Sequence, residues 1–286
     1  FASNFIAFVL VTGTILRYRE IKIMKIKIIL MAGVAAVITG LLSLILVNCS
    51  PDKQDNLVKV NSFVDLHGLA VRQDGNLFIA THEGLLILKN DKELYRVGNV
   101  NHDLMGFSMN PQNSDHVYAS GHPSSGGNLG VIVSQDGGLN WKQIFRGIGG
   151  PAVDLHAMAI GLSDPRLIYG WHEDKLYRTE DGGNSWSFAG AKGLSNVFTL
   201  STSPHNPDIV YAGTEKGLAI SRDKGETWSI PNPAGPVGGI AEDSEQAGTI
   251  YAFTQKYGMA VSTDSSKSWQ DLNNGLKLGP TEAILL

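Results

Sequence analysis

The sequence predicts an all-β protein, a β-propeller of four-stranded blades. Three observations carry this. A short box recurs at near-constant spacing, two further β-rich runs keep phase with it, and no interior stretch has the length and period of a helix. The box reads S/T-x-D-x-G-x-x-W. It stands as "SQDGGLNW" at 134–141, "TEDGGNSW" at 179–186, "SRDKGETW" at 221–228 and "STDSSKSW" at 262–269, in steps of 45, 42 and 41 residues. Four strands about every 40–45 residues is the spacing of propeller blades, which stack around an axis because a lone blade cannot bury both faces.

The elements of each unit follow in order. A first strand is read at "VDLHGLAV" (64–71), "HDLMGFSM" (102–109), "VDLHAMAI" (153–160), "VFTLSTSP" (197–204) and "VGGIAEDS" (237–244). A second is read at "NLFIATHEG" (76–84), "HVYASGHP" (116–123), "LIYGWHED" (167–174), "IVYAGTEKG" (209–217) and "TIYAFTQKYG" (249–258). The box closes the third strand, and the residues after its Trp ("KQIF", "SFAG", "WSIP") supply a fourth. Five blades are countable, and "GPTEAILL" (279–286) matches the start of a sixth, so a truncated ring of more blades is expected, the alternative being that these residues complete ring closure. The first unit has no box; Asn90-Asp91 suits an ordinary hairpin there.

Each box residue has a physical task. Ser134, Thr179, Ser221 and Ser262, with Asp136, Asp181, Asp223 and Asp264, can bond nearby backbone N–H groups and fix the turn between strands three and four. Gly138, Gly183 and Gly225 supply a positive φ. Trp141, Trp186, Trp228 and Trp269 bring large rings to pack between blades. The fourth box has Ser266 where the others have Gly, so an altered turn is expected.

This box resembles the Asp-box, or BNR, repeat of sialidases, sortilin-type receptor domains and related propellers. The resemblance covers 64–286 and implies a ring of six or seven blades, with the boxes away from the active centre. "DLHGLAV", "ATHEGL", "DLMGFSM", "ASGHP", "LGVIVSQDGG" and "DLHAMAI" further resemble a group of exported bacterial Asp-box proteins labelled glycosylhydrolase-like.

The segment ahead of the repeat is of another kind. Met24 opens "MKIKIILMAGVAAVITGLLSLILVNCS": a basic start with Lys25 and Lys27, then an apolar run to Val47. This reads as an export signal over 24–49. Its "LVNCS" end resembles the bacterial lipobox, with Cys49 as lipid acceptor, although Asn48 replaces the usual small residue. An uncleaved membrane helix is the alternative, since about 20 apolar residues span a bilayer. Residues 1–23 read as upstream sequence in frame, and 50–63 as a polar tether. Either anchor places the propeller at a cell membrane, on its extracytoplasmic face. The chain has one cysteine, which excludes an internal disulfide, and its formal net charge of −4 leaves no basic footprint for nucleic acid.

Topology sorts the candidate site residues. Segments leading into first strands, and turns between strands two and three, open at one end of the blades; the boxes open at the other. His67, His102 and His156 fall at or just before first strands, and His82, His122 and His172 fall between strands two and three. Asp65, Asp103 and Asp154 join them in the lead-in segments, and the loop "GHPSSGGN" (121–128) is long. His67, His82, Asp103, His122, Asp154 and His156 are therefore the candidate ligand-binding set. Such a set could bind a divalent metal or provide acid–base groups.

Three functions compete. The first is a propeller that binds a glycan or protein ligand on the His/Asp-rich face. The second is a glycoside hydrolase acting on neutral glycans, with Asp65 and Asp154 as its carboxylate pair. The third is an assembly factor for a membrane complex. Sialidases hold a carboxylated sugar with three arginines. Here Arg72 and Arg166 map to the box end and Arg222 lies inside a box, which argues against a true sialidase.

Overall fold

A computed structural model of the chain describes residues 57–232 and 235–272. The export segment, Cys49 and the 279–286 run lie outside the described residues. The described residues form twenty strands and no helix, in five antiparallel sheets that are successive blades of a β-propeller.

The first blade holds β2 (Leu66–Val71), β3 (Leu77–Thr81), β4 (Gly84–Lys89) and β5 (Glu93–Val97). The second holds β6 (Asp103–Met109), β7 (Val117–His122), β8 (Val131–Ser134) and β9 (Lys142–Phe145). The third holds β10 (Ala157–Ile160), β11 (Ile168–His172), β12 (Lys175–Thr179) and β13 (Ser187–Phe188). The fourth holds β14 (Val197–Thr202), β15 (Val210–Thr214) and β16 (Gly217–Ser221), and the fifth holds β17 (Val237–Glu242), β18 (Ile250–Thr254), β19 (Gly258–Ser262) and β20 (Gln270–Asp271). Every sheet is an up-and-down meander in chain order, with one addition: Leu57–Lys59 forms a further outer strand, β1, antiparallel to β5.

Three details depart from the sequence reading, one of them at Ser266, where the expected altered turn is absent and the hydrogen bonds of the other boxes are kept at a positive φ of 71°. The segment assigned to the tether joins the propeller from Leu57 onward, as β1 covers the open edge of β5. In the fourth blade the expected fourth strand is reduced to a single bridge, Ile220 to Ser229. Pro231 follows at once and has no N–H to continue a ladder. The first-blade hairpin behaves as expected: Asn90 and Asp91 both take positive φ (52° and 58°) in a turn that the Lys92 N–H closes onto the Lys89 carbonyl.

The core is divided among the blade interfaces. Successive residues of a strand point to opposite faces, so Ala119 on β7 packs with Phe78, Leu85 and Phe107 between blades one and two. Its neighbour Tyr118 packs with Leu155, Met158 and Tyr177 between blades two and three. Two further clusters join blade three to four and four to five. Each fully buried Leu, Ile or Phe contributes about 1.5–3 kcal/mol, and no blade buries its apolar residues alone. The first strands β2, β6, β10, β14 and β17 lie side by side in that order. Gly106 on β6 permits this close approach: a Cβ there would stand 2.0 Å from the Leu155 carbonyl oxygen.

The boxes close their turns through a common hydrogen-bond pattern. The Ser or Thr hydroxyl donates to the Asp Oδ1 at 2.7–2.8 Å. It also accepts the N–H of the residue four places on, at 2.8–3.0 Å. The same Oδ1 accepts the N–H of the residue before the Trp at 2.9 Å. Oδ2 accepts that residue's side chain, from Asn140, Ser185, Thr227 or Ser268. These bonds hold the Asp181 and Asp264 carboxyls down at about 2, with the Ser185 and Ser268 hydroxyls the largest causes. The Trp rings are half-buried rather than enclosed. Trp186 stacks on Phe145 of the preceding blade, with centroids 4.9 Å apart.

Candidate functional site

The end of the blades opposite the boxes carries two groups of imidazoles and carboxylates. They arise from a repeated local pattern. Asp65-Leu66-His67, Asp103-Leu104-Met105 and Asp154-Leu155-His156 occupy equivalent places at the starts of blades one to three. The central Leu faces the blade interfaces; Leu104 and Leu155 are 1 % and 0 % exposed. In blades one and three the residues on either side of it, Asp65 with His67 and Asp154 with His156, turn to these groups, and in blade two Asp103 does. The second strand of each blade ends beside the lead-in of the next, which brings His82 and His122 to them.

In the first group, His82 Nδ1 lies 2.8 Å from Asp103 Oδ2, and His82 Nε2 lies 3.3 Å from Asp65 Oδ2. His67 Nε2 lies 3.7 Å from Asp103 Oδ1. The His67 and His82 rings meet edge to face at 4.4 Å. In the second group, Asp154 Oδ2 receives two imidazoles: His122 Nε2 at 3.0 Å and, closer still, His156 Nε2. The groups are not copies. Met105 stands where the third blade has His156, so the first group takes its second imidazole from the blade before.

Burial differs sharply within the set. The Asp154 side chain is 7 % exposed, whereas His156 above it is 58 % exposed. Burial, then the neighbouring His82, lowers the pKa of His67 below the ordinary imidazole value. The hydrogen bond to Asp154 raises that of His156. Asp103 also acts on His156, and His156 on His67, so the two groups sense one another. Three polar atoms are buried without a hydrogen-bond partner: His67 Nε2, Asp103 Oδ1 and Asp154 Oδ1.

The long second-blade loop orients one ring. Gly127 O accepts from His122 Nδ1 at 3.0 Å. Because a carbonyl only accepts, Nδ1 carries the proton, and Nε2 is the atom turned to Asp154. Gly121, at the start of this loop, has φ 147°, and a Cβ there would stand 2.0 Å from the Asp103 carbonyl oxygen. The sequence reading singled out this loop for its length; the orienting carbonyl has no side-chain signal.

All six ligand-binding candidates thus stand in these groups. The hydrolase pair Asp65 and Asp154 is divided between them. Asp65 is 66 % exposed, at a positive φ of 47°. His102 and His172 take no part. His102 has a buried, unpartnered Nδ1 and a pKa lowered by burial, while His172 pairs with Glu173 at 3.7 Å. The pattern stops at the third blade because no Asp stands in the lead-in to β14.

At the box end, a cleft of about 580 Å³ lies between blades two and three, lined by Tyr118, Asp136, Trp141, Lys142 and Asn184 among others. It is remote in topology from the imidazole groups. Arg72 and Arg166 also lie at this end, paired with Asp115 at 3.0 Å and Asp164 at 2.8 Å.

No protein-family model matches the chain, and no curated protein matches its sequence. Its architecture has many solved counterparts. A GH74 enzyme from Niastella koreensis aligns with a TM-score of 0.56 at 18 % identity, over 77 % of this chain and 31 % of that one. The GH74 xyloglucanase from Xanthomonas campestris aligns with 0.55 at 16 % identity, over 77 % and 39 %. The extracellular domain of a putative hybrid two-component system from B. thetaiotaomicron aligns with 0.53 at 13 % identity, over 73 % and 30 %. The chain therefore spans about a third of the length of these structures, and at such identities the likeness is one of fold: the chain is a β-propeller.

Proposed function

We propose that this chain is a ligand-binding propeller of the Asp-box kind, tethered at the extracytoplasmic face of a membrane. Its glycan or protein ligand seats on the end formed by blades one to three. The observation that carries the reading is the gathering of four imidazoles and three carboxylates there, with three buried polar atoms left without partners. An unmatched buried polar atom costs about 1–3 kcal/mol, and a ligand seated on this end would supply partners to the three there. The hydrolase reading has fold likeness to GH74 glycoside hydrolases on its side. Asp154, however, is covered by two imidazoles, which leaves it poorly placed to act on a sugar.

The test is a glycan array and a cross-linking capture with the full chain, comparing His122→Gln/His156→Gln with the box-end variant Asn184→Ala. Loss of capture in the first alone supports the reading. Loss in Asn184→Ala alone moves the site to the box-end cleft. For the anchor, Cys49→Ser should release the protein from membranes or leave it unprocessed; unchanged mass and membrane fraction would favour a plain helix.

A further inference from the structure

We infer that the two imidazole–carboxylate groups are a pair of divalent transition-metal sites, one held by His67, His82 and Asp103 and the other by His122, Asp154 and His156. The inference deepens the reading of this end as the ligand face and rests on it.

Donor chemistry comes first. Each group offers two imidazole nitrogens and one carboxylate oxygen, all within 4.8 Å of one another. Imidazole with carboxylate suits zinc and its neighbours, whereas calcium and magnesium prefer all-oxygen shells. Thiolate chemistry is excluded at these sites, since Cys49 is the one cysteine of the chain.

Geometry comes second. Ligand atoms about 2.0–2.1 Å from a tetrahedral zinc stand about 3.3 Å apart. The separations of 2.8 Å (His82 Nδ1 to Asp103 Oδ2) and 3.0 Å (His122 Nε2 to Asp154 Oδ2) lie a little below this value, and His67 Nε2 stands 3.7 Å from the other Asp103 oxygen, Oδ1. Such a triad leaves a fourth position open, as zinc sites that receive an outside ligand do.

Proton accounting comes third. His122 spends its one neutral-form proton on Gly127 O, so its Nε2 lone pair faces the Asp154 carboxylate. That is an acceptor facing an acceptor, and only an added proton or a cation relieves it. His82 has the same difficulty, with a carboxylate at each nitrogen. The Nδ1–H to carbonyl bond of His122 is also the outer support that metal-bound imidazoles commonly have. The buried, unpartnered His67 Nε2 then gains a purpose.

The test is equilibrium dialysis of the full chain, stripped with chelator, against Zn²⁺, with metal per chain read by mass spectrometry. Two zinc ions per chain are expected. Asp103→Asn and Asp154→Asn should each bind one, and the box-end control His116→Gln should bind two. Because Asp154 is buried, His122→Gln and His156→Gln, on more exposed rings, repeat the second-site test in variants that keep the fold by circular dichroism. Co²⁺ loading should give visible bands that weaken stepwise with each lost site. Absence of stoichiometric zinc, or two zinc ions retained in the Asp variants, overturns the inference. Ligand capture is scored separately. Capture without zinc sinks the metal sites alone, and zinc without capture sinks the ligand reading alone.

Discussion

Ser266→Gly should stabilise the protein. The other boxes place Gly138, Gly183 and Gly225 at this point with φ of 92°, 96° and 91°. Ser266 takes φ 71°, a conformation that costs a residue with a Cβ about 1–2 kcal/mol. Its side chain is fully buried, 0 % exposed, and its hydroxyl has no partner, which adds about 1–3 kcal/mol of desolvation. Glycine would return about 0.5–1 kcal/mol through the freedom of the unfolded chain, and about 0.8 kcal/mol through the emptied methylene space. The bond from the residue 266 N–H to Ser262 Oγ, 2.8 Å, survives the change. The net expectation is a gain of about 2 kcal/mol, or about 4–8 °C in Tm for a domain of this size. Calorimetry and urea unfolding at unchanged slope would measure it. The mirror variant Gly138→Ser should lose stability, because a Cβ there would stand 2.4 Å from Leu85 Cδ2. An unchanged or lower Tm in Ser266→Gly would refute the reasoning and show that the hydroxymethyl group packs too well to remove.

Three further outcomes are expected. Trp186→Ala should cost about 2–3 kcal/mol by urea unfolding, below the 3–5 of a fully buried ring, because the indole is half-buried against Phe145; zinc stoichiometry should not change. Asp181 and Asp264 ionise at about 2 when folded, below their ordinary 3.8. The stability they provide is therefore complete above about pH 4 and lost as pH falls through 2, and Asp181→Asn should flatten that acid limb in a thermal-melt series. Gly121→Ala should force the long loop off the Asp103 carbonyl, visible as a lower Tm and weaker capture; a wild-type Tm would contradict the close approach.

Much of the fold was legible because blades are local. A strand triplet plus a box fits within one repeat, so its period survives in the sequence. What did not survive is pairing that depends on distant residues or small steric facts. β1 carries no box and pairs with a strand almost forty residues away. Pro231 cancels the fourth strand of blade four although the flanking pattern matches the others. The polar residue before each Trp was written as x in the box, yet it gives the Asp its second partner. The candidate residues were legible to the level of placement, since topology puts them at one end of the blades; which Asp meets which imidazole was not. The sharing of one Asp154 oxygen between two rings, the orienting carbonyl of Gly127 and the exclusion of His102 depend on side-chain direction, which spacing does not encode.

The strand β1 has a mechanical consequence. It is three residues long, its Val58 is 53 % exposed, and beyond its backbone pairing it has Leu57 packed against the cluster of blades one and two and a surface ion pair from Lys59 to Glu93 at 2.9 Å. Any pull on the chain ahead of Leu57 arrives first at this clasp, on the outer rim of blade one. Peeling it off exposes the edge of β5 and withdraws Leu57 from the cluster between blades one and two, but leaves the four strands behind it paired. The rim would thus yield as a short, re-formable slack before load reaches the body of the propeller.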